Sequence, residues 1–218
     1  MKKSLYILFA IAVTFVAGCK NDEPDFSVGE KVYNTYQPTS KGSFWKYNKT
    51  ALGGTAETET QTMIGKDILI NKKTYSTIYT QSGTTENSSS YFSHQDDSYI
   101  KRVAFSGGID VEYLYLKDNY VVGRTWTASV TEGGFVNGLP ARIVGALVEK
   151  GITKSVSGKK FTDVMHTRLN FQYDEGDGFK TVEVIDYYVA KGVGIIETDY
   201  SDGTKVTATS LIIDYDIK

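Results

Sequence analysis

The sequence predicts an all-β domain with little or no helix, and three observations lead to that expectation. The 218 residues include 16 Tyr, 21 Gly and only three Pro; tyrosine is frequent in strands, whereas glycine is frequent in turns. Turn-forming residues recur at intervals of about ten residues, a spacing typical of β-sandwiches and barrels. Between the turns, apolar residues alternate with polar ones, and no window has the apolar repeat of an amphipathic helix.

Several segments show this alternation. Residues 58–64 alternate Thr with Glu and Gln, which predicts an exposed or edge strand. Residues 161–173 place apolar side chains at nearly every odd position and polar ones at even positions, so one face is predicted to be core and the other wet. Residues 205–217 follow the same pattern near the C-terminus. A short helix within 84–97 is the one helical alternative left open.

The first 18 residues have the pattern of a secretory signal. Lys2 and Lys3 precede an apolar run over residues 5–17, which is shorter than the roughly 20 residues of a membrane-spanning helix. The run ends just before Cys19, the chain's only cysteine. This ending resembles the lipobox of bacterial lipoproteins, which implies cleavage before Cys19 and attachment of lipid to it. The alternative is an unmodified thiol after an ordinary signal peptide.

The mature chain is expected to be one β domain, residues 32–218, on a flexible tether formed by residues 19–31. Removing residues 1–18, which carry two lysines and no acidic residue, changes the net charge from −2 to −4. With no basic block in the chain, nucleic acid is not expected as a partner. Residues 20–23 resemble the export tag of surface-displayed lipoproteins of Bacteroidetes-type bacteria. An outer-membrane location is therefore expected, with the cell surface and the periplasmic face both open.

Three segments resemble a loose group of small secreted β lipoproteins. Residues 42–47 read GSFWKY and match the opening of that group, residues 186–196 read DYYVAKGVGII and match its closing segment, and residues 161–165 read FTDVM and match the strand before it. The resemblance implies a single, mostly antiparallel, strongly curved sheet, as a half-barrel or as an open barrel or sandwich. It implies no activity.

The residues that could perform catalysis are few. The chain has two histidines, His94 and His166, and it lacks the G-x-S-x-G pattern of a nucleophile elbow. Residues 174–178 hold three carboxylates but do not have the spacing of a calcium-binding loop. No catalytic residue, metal site or cofactor is therefore predicted. The alternative of a glycan hydrolase with paired carboxylates stays open, because the distance between two carboxylates cannot be seen in a sequence.

The candidate ligand-binding residues are aromatic rings, which can stack on sugars or line an apolar groove, and one row of polar side chains on the wet face of residues 161–173. They are Trp45, Tyr113, Tyr115, His166, Arg168 and Asn170. We expect a lipid-anchored envelope protein with a non-enzymatic binding or scaffolding role. Its partners would be the membrane, through the anchor, and a glycan, lipid or envelope protein. The alternatives are a carrier or sensor of an apolar ligand in the concave sheet, and a surface glycan hydrolase.

Overall fold

The computed structural model describes residues 34–83, 88–104 and 109–218, and every regular element within these ranges is a β-strand. The strands are β1 (Phe44–Ala51), β2 (Glu57–Ile70), β3 (Lys73–Ser82), β4 (Ser88–Gln95), β5 (Ser98–Ala104), β6 (Asp110–Lys117), β7 (Thr125–Ser129), β8 (Phe135–Val136), β9 (Leu139–Val156), β10 (Lys159–Asp174), β11 (Phe179–Ala190), β12 (Gly194–Ser201) and β13 (Val206–Asp216). The all-β prediction is confirmed. The helix considered within 84–97 is wrong over its described part, which is β4.

None of the residues that the structure describes belongs to a helix with the length and hydropathy of a membrane span. The predicted signal peptide, Cys19 and the tether of residues 19–31 lie outside the described residues. They therefore stay predictions.

The strands form one antiparallel sheet that is nearly closed into a barrel. Its order is β6-β5-β4-β3-β2-β1-β13-β12-β11-β10-β9-β7, and the short β8 pairs with β9. The two ends of this order approach each other, because the Glu112 amide of β6 donates to the carbonyl of Val130, just beyond β7, at 2.8 Å. Trp126 of β7 also donates from Nε1 to the Leu114 carbonyl of β6 at 3.1 Å. The predicted strongly curved sheet is thus confirmed, in its barrel form.

The interior is filled by side chains from alternate positions of the strands, as the period of two requires. The Thr167 hydroxyl of β10 donates to the Tyr115 carbonyl of β6 at 2.6 Å, which joins the first strand of the order to one near its other end. The largest buried side chains in this core include Trp45, Met63, Tyr99, Tyr115, Leu147, Leu169 and Ile185.

The two ends of the barrel differ. At one, the N-terminal end, residues 34–42 pack against the strand ends: the Gly192 amide donates to the Thr35 carbonyl at 2.7 Å, and the buried Gln37 accepts a hydrogen bond from Tyr115. At the other, the distal end, lie turns such as 52–56, 175–178 and 202–205. The described chain therefore begins at the end opposite to these turns.

The prediction that residues 58–64 form an exposed or edge strand is wrong. They belong to β2, which lies between β1 and β3 in the sheet. Glu59 and Gln61 are only 8% and 7% exposed and point into the barrel. The alternation of Thr with Glu and Gln suggests exposure, but here the Glu and Gln side chains line a polar part of the interior.

Candidate functional site

The polar row predicted on β10 lies on the outer face of the barrel, opposite the buried Leu169. His166 is nevertheless only 6% exposed, so the expectation of a wet histidine is wrong. Its Nδ1 lies 3.0 Å from Glu149 Oε2 of β9, and its Nε2 lies 2.7 Å from Asp186 Oδ1 of β11. Both contacts are hydrogen bonds only when both ring nitrogens carry a proton, because carboxylates accept and do not donate.

Arg168 shares Asp186 with His166. Its Nε and Nη2 donate to the two oxygens of Asp186 at 2.9 and 3.0 Å, a two-point ion pair. Burial raises the pKa of Asp186, but the hydrogen bonds from His166 and Arg168 outweigh that effect and hold the pKa below its usual value. Asn170 makes a long contact, 3.5 Å, to the Val144 carbonyl. The polar side chains of this row are therefore already bonded to other groups of the protein.

A tyrosine and two acidic residues extend this outer cluster. The Tyr188 ring stacks on His166 with centroids 4.3 Å apart, and Lys154 Nζ lies 3.6 Å from the centroid of Tyr188. Burial and the neighbouring Glu197 raise the pKa of Asp199 to about 6. Glu197 and Asp199 are the paired carboxylates that come nearest to the hydrolase alternative, but neither lines the aromatic, inner or rim cavity described below.

The three candidate aromatic residues differ in whether they line a cavity. Trp45 and Tyr115 are 1% and 0% exposed, because each sits on the inward face of its strand, so they are core residues and not surface rings. Trp45 Nε1 donates to the Val193 carbonyl at 2.6 Å. Tyr113 is also mostly buried, yet its ring lines a cavity near the distal end.

Cavities lie inside the distal half of the barrel. The inner cavity has about 30 Å³ of free space, and its lining is mostly polar: Tyr47, Lys49, Glu59, Gln61, Lys101, Ile195, Thr198, Tyr200 and Ser210. The rim cavity, of about 400 Å³, shares Lys49 and Tyr200 with it and extends to the β1–β2 turn. A ligand in the rim cavity would therefore reach the same lysine and tyrosine as a group in the inner one.

The charges around the inner cavity are not balanced. Glu59 accepts hydrogen bonds from Lys49 Nζ at 2.9 Å and from Gln61 Nε2 at 2.7 Å. Burial raises the pKa of Glu59, but its hydrogen-bonded neighbours outweigh this and lower it. Lys101 forms no ion pair with any described residue; its Nζ lies 5.6 Å from the centroid of Phe92. Burial lowers the pKa of Lys101 and outweighs the opposite effect of the Glu59 carboxylate.

A third space, the aromatic cavity, has about 240 Å³ and is lined by Tyr113, Phe171, Tyr173, Val182 and Glu183. Burial raises the pKa of Glu183. After burial, the Glu183 charge is the main influence that raises the pKa of Tyr200 to about 12. Glu183 therefore acts electrostatically on a residue that lines the inner and rim cavities.

Most of this distal site was missed from the sequence. Tyr113 was among the candidates, but Lys101 lies in the strand SYIKRVA, where nothing distinguishes an inward lysine from an outward one. The one available signal is the alternation of Thr with Glu and Gln in residues 58–64, which predicted an exposed or edge strand instead of a polar interior.

No protein-family description and no curated protein sequence matches the chain. Two crystal structures resemble it. One is a predicted exported protein with a YmcC-like fold from Bacteroides fragilis, with a TM-score of 0.53, 10% identity, and coverage of 82% of this chain and 97% of that one. The other is a predicted lipoprotein from Parabacteroides distasonis, with a TM-score of 0.50, 11% identity, and coverage of 84% and 99%. The chain thus shares the fold of these two Bacteroidetes proteins.

Proposed function

We propose that the chain is a lipid-anchored, non-enzymatic protein of the outer membrane that binds a small acidic, hydroxyl-bearing molecule in the distal half of its barrel. The observation that carries this proposal is the position of Lys101, which lines the inner cavity and forms no direct ion pair with any described residue. Lys101 is partly buried, and an ammonium withdrawn from water is costly unless it is paired. An anionic group of a ligand would supply the missing partner.

The sizes and linings of the cavities fit such a ligand. The inner cavity, of about 30 Å³, has room for a single anionic group beside Lys101. The rim cavity, of about 400 Å³, is large enough for the remainder of a small sugar acid or sugar phosphate. Tyr200 lines both, and tyrosine offers both a ring for stacking and a hydroxyl for hydrogen bonding.

The anchoring half of the proposal rests on the sequence around Cys19 and on the two structural relatives, described as an exported protein and a lipoprotein. Two or three acyl chains attached at one cysteine hold a protein on a membrane almost permanently. The described chain begins at the N-terminal end of the barrel, at residue 34. The proposed ligand site lies at the opposite, distal end.

The alternatives have weaker support. A carrier of an apolar ligand needs an apolar hollow. The aromatic cavity of about 240 Å³ is the space that comes nearest to one, but the larger rim cavity is continued by the inner cavity, which charged and polar groups line. A glycan hydrolase needs its two carboxylates in a cleft that holds substrate. Glu197 and Asp199 lie on the outer wall and do not line the aromatic, inner or rim cavity.

Ligand-induced stabilisation of the full chain in detergent tests this function. The probes are galacturonate, glucose 6-phosphate, inorganic phosphate and uncharged glucose. A probe present at 100 times its Kd stabilises the folded protein by about 2.7 kcal/mol, which raises the Tm of a chain of this size by roughly 5–10 °C. Comparison of the rise in Tm with galacturonate and with the two phosphate probes shows which anion the site prefers.

Two variants make the result specific. Lys101→Met should abolish the rise in Tm, whereas Lys46→Met, on the outer face of β1, should leave it unchanged. A rise of equal size with glucose would contradict the anionic class. A rise that survives Lys101→Met would place the ligand elsewhere.

A further inference from the structure

The loop between β6 and β7 exposes two adjacent apolar side chains. Val121 is 68% exposed and Val122 is 58% exposed, and they are neighbours on one loop of residues 118–124. Single exposed apolar residues are common on soluble proteins and need no explanation. Two adjacent exposed apolar residues call for an explanation when the residues around them share a common chemistry.

Three cations surround this loop. Arg124 Cζ lies 4.1 Å and Lys117 Nζ 5.1 Å from the centroid of the Tyr120 ring. Lys150 Nζ donates to the backbone carbonyls of Asp118 and Tyr120 at 2.7 and 3.2 Å. Lys117 is also paired with Asp97 at 2.9 Å. Arg124 and Lys150 form no ion pair with any residue that the structure describes, so they are available to an anion from outside.

The loop lies beside the start of the described chain. The Tyr99 hydroxyl accepts a hydrogen bond from the Tyr36 amide at 3.4 Å and donates one to Asp118 Oδ2 at 3.0 Å. A single tyrosine therefore separates the loop from the segment that leads back to the predicted tether. The 14 residues that follow Cys19 up to Tyr33 would span about 20 Å as a flexible chain, so an anchored barrel is held close to its membrane.

We propose that loop 118–124 is a membrane-contact element, which rests in the headgroup layer of the anionic bilayer that holds the chain's own anchor. Val121 and Val122 enter the layer, and Arg124 and Lys150 contact lipid phosphates. Exposed apolar residues beside cations are the composition that favours this interface, with burial to a depth of about 5–10 Å. Two valines bind weakly alone, but the tether makes the contact intramolecular.

This inference goes beyond the proposed ligand site and rests only on the anchoring half of the proposed function. It also gives the barrel an orientation. With its N-terminal end on the lipid, the distal cavities face away from the membrane.

Depth-dependent quenching tests the proposal with the full lipidated chain. It is reconstituted into vesicles of phosphatidylglycerol and phosphatidylcholine that contain lipids with a nitroxide quencher on the acyl chain. An environment-sensitive fluorophore is attached through maleimide to Val121→Cys and, in a matched control, to Leu52→Cys. Leu52 is 64% exposed, close to the 68% of Val121, but lies in the β1–β2 turn at the distal end. The unsubstituted chain should not label, because lipid occupies the Cys19 sulfur.

The probe at position 121 should shift to the blue and be quenched, whereas the probe at position 52 should do neither. In the background Arg124→Gln with Lys150→Gln, quenching at position 121 should fall, because each cation at an anionic surface contributes about a fivefold preference for it. High salt should weaken the contact in the same direction.

The outcomes separate this proposal from the proposed function. If the protein floats with the vesicles but both probes are quenched equally, or neither is, the loop proposal is overturned and the anchor stands. The same holds if the probe at position 121 shifts to the blue without quenching by lipid, which would indicate a protein partner or a second copy. A chain that does not float overturns the anchor and the loop contact together, and leaves the ligand site to its own test.

Discussion

Gly145 is the position at which the closure of the barrel depends most sharply on one missing methyl group. It pairs with Trp126 between β9 and β7, and the indole lies directly across it. A Cβ at position 145 would fall 2.1 Å from Trp126 Cε2 and 2.3 Å from Cζ2. Carbon atoms in contact need more than 3 Å, so Gly145→Ala must displace the indole.

Displacement of the indole disturbs both the packing of Trp126 on β7 and its hydrogen bond to β6. Trp126 is only 6% exposed, and its Nε1 donates to the Leu114 carbonyl of β6 at 3.1 Å. Overpacking of a core costs about 1–3 kcal/mol, and the lost hydrogen bond costs about 1 kcal/mol. We therefore expect Gly145→Ala to lower the free energy of unfolding by about 2–4 kcal/mol, and the Tm by roughly 5–15 °C for a domain of this length.

Urea unfolding followed by tryptophan fluorescence and by far-ultraviolet circular dichroism measures this change. The matched control is Gly133→Ala, whose new Cβ has Phe135 Cδ2, at 3.9 Å, as its nearest atom and whose backbone is not left-handed. The control should change stability by less than about 0.5 kcal/mol. If Gly145→Ala is as stable as Gly133→Ala, the indole does not close the barrel in the way described.

Three further predictions concern the charged groups. His166→Ala should destabilise the protein more than Arg168→Ala, because His166 is buried and bridges two carboxylates whereas Arg168 is half-exposed; urea unfolding of both variants measures this. Asp199→Asn should be more stable than the wild type at pH 8, with the difference vanishing near pH 4. The pKa of Asp199 is raised to about 6 by burial and Glu197, so its ionised form opposes folding, and stability falls as pH rises from about 4 to 6. Lys101→Met should raise the Tm without ligand, because burial of this ammonium outweighs its attraction to Glu59.

Each of these predictions has its own contrary result. Equal losses for His166→Ala and Arg168→Ala would show that the buried bridge adds nothing to the exposed ion pair. A stability difference for Asp199→Asn that does not vary with pH would place its cause outside the titration of this carboxyl. A Lys101→Met protein less stable than the wild type would mean that the ammonium has a stabilising partner in the unliganded barrel.

The strands and turns could be predicted from the sequence because local rules determine them. Asn137-Gly138 is one of the recurring pairs of turn-forming residues in the sequence. The φ is 51° at Asn137 and 82° at Gly138, the left-handed conformation that these residues tolerate best. The alternation over residues 161–173 corresponds to β10, Lys159–Asp174. Its period of two is a property of the strand itself.

The site could not be predicted in the same way, because it depends on register and on which face is interior. His166 is buried because Glu149 and Tyr188 come from neighbouring strands, and the β9–β10 pairing shifts register on both sides of His166. Glu59 and Gln61 follow the alternation of an exposed strand, yet they point into the barrel. A sequence pattern shows that two faces differ but not that the polar face is enclosed.

The most direct test of the central claim is native mass spectrometry of the full chain, extracted from its own membranes in mild detergent. We predict a bound small molecule of acidic character on the wild-type protein, retained by Lys46→Met and lost from Lys101→Met. A wild-type protein that carries no such molecule, or one that Lys101→Met retains in full, would contradict the assignment of Lys101 as the anion-binding group of this barrel.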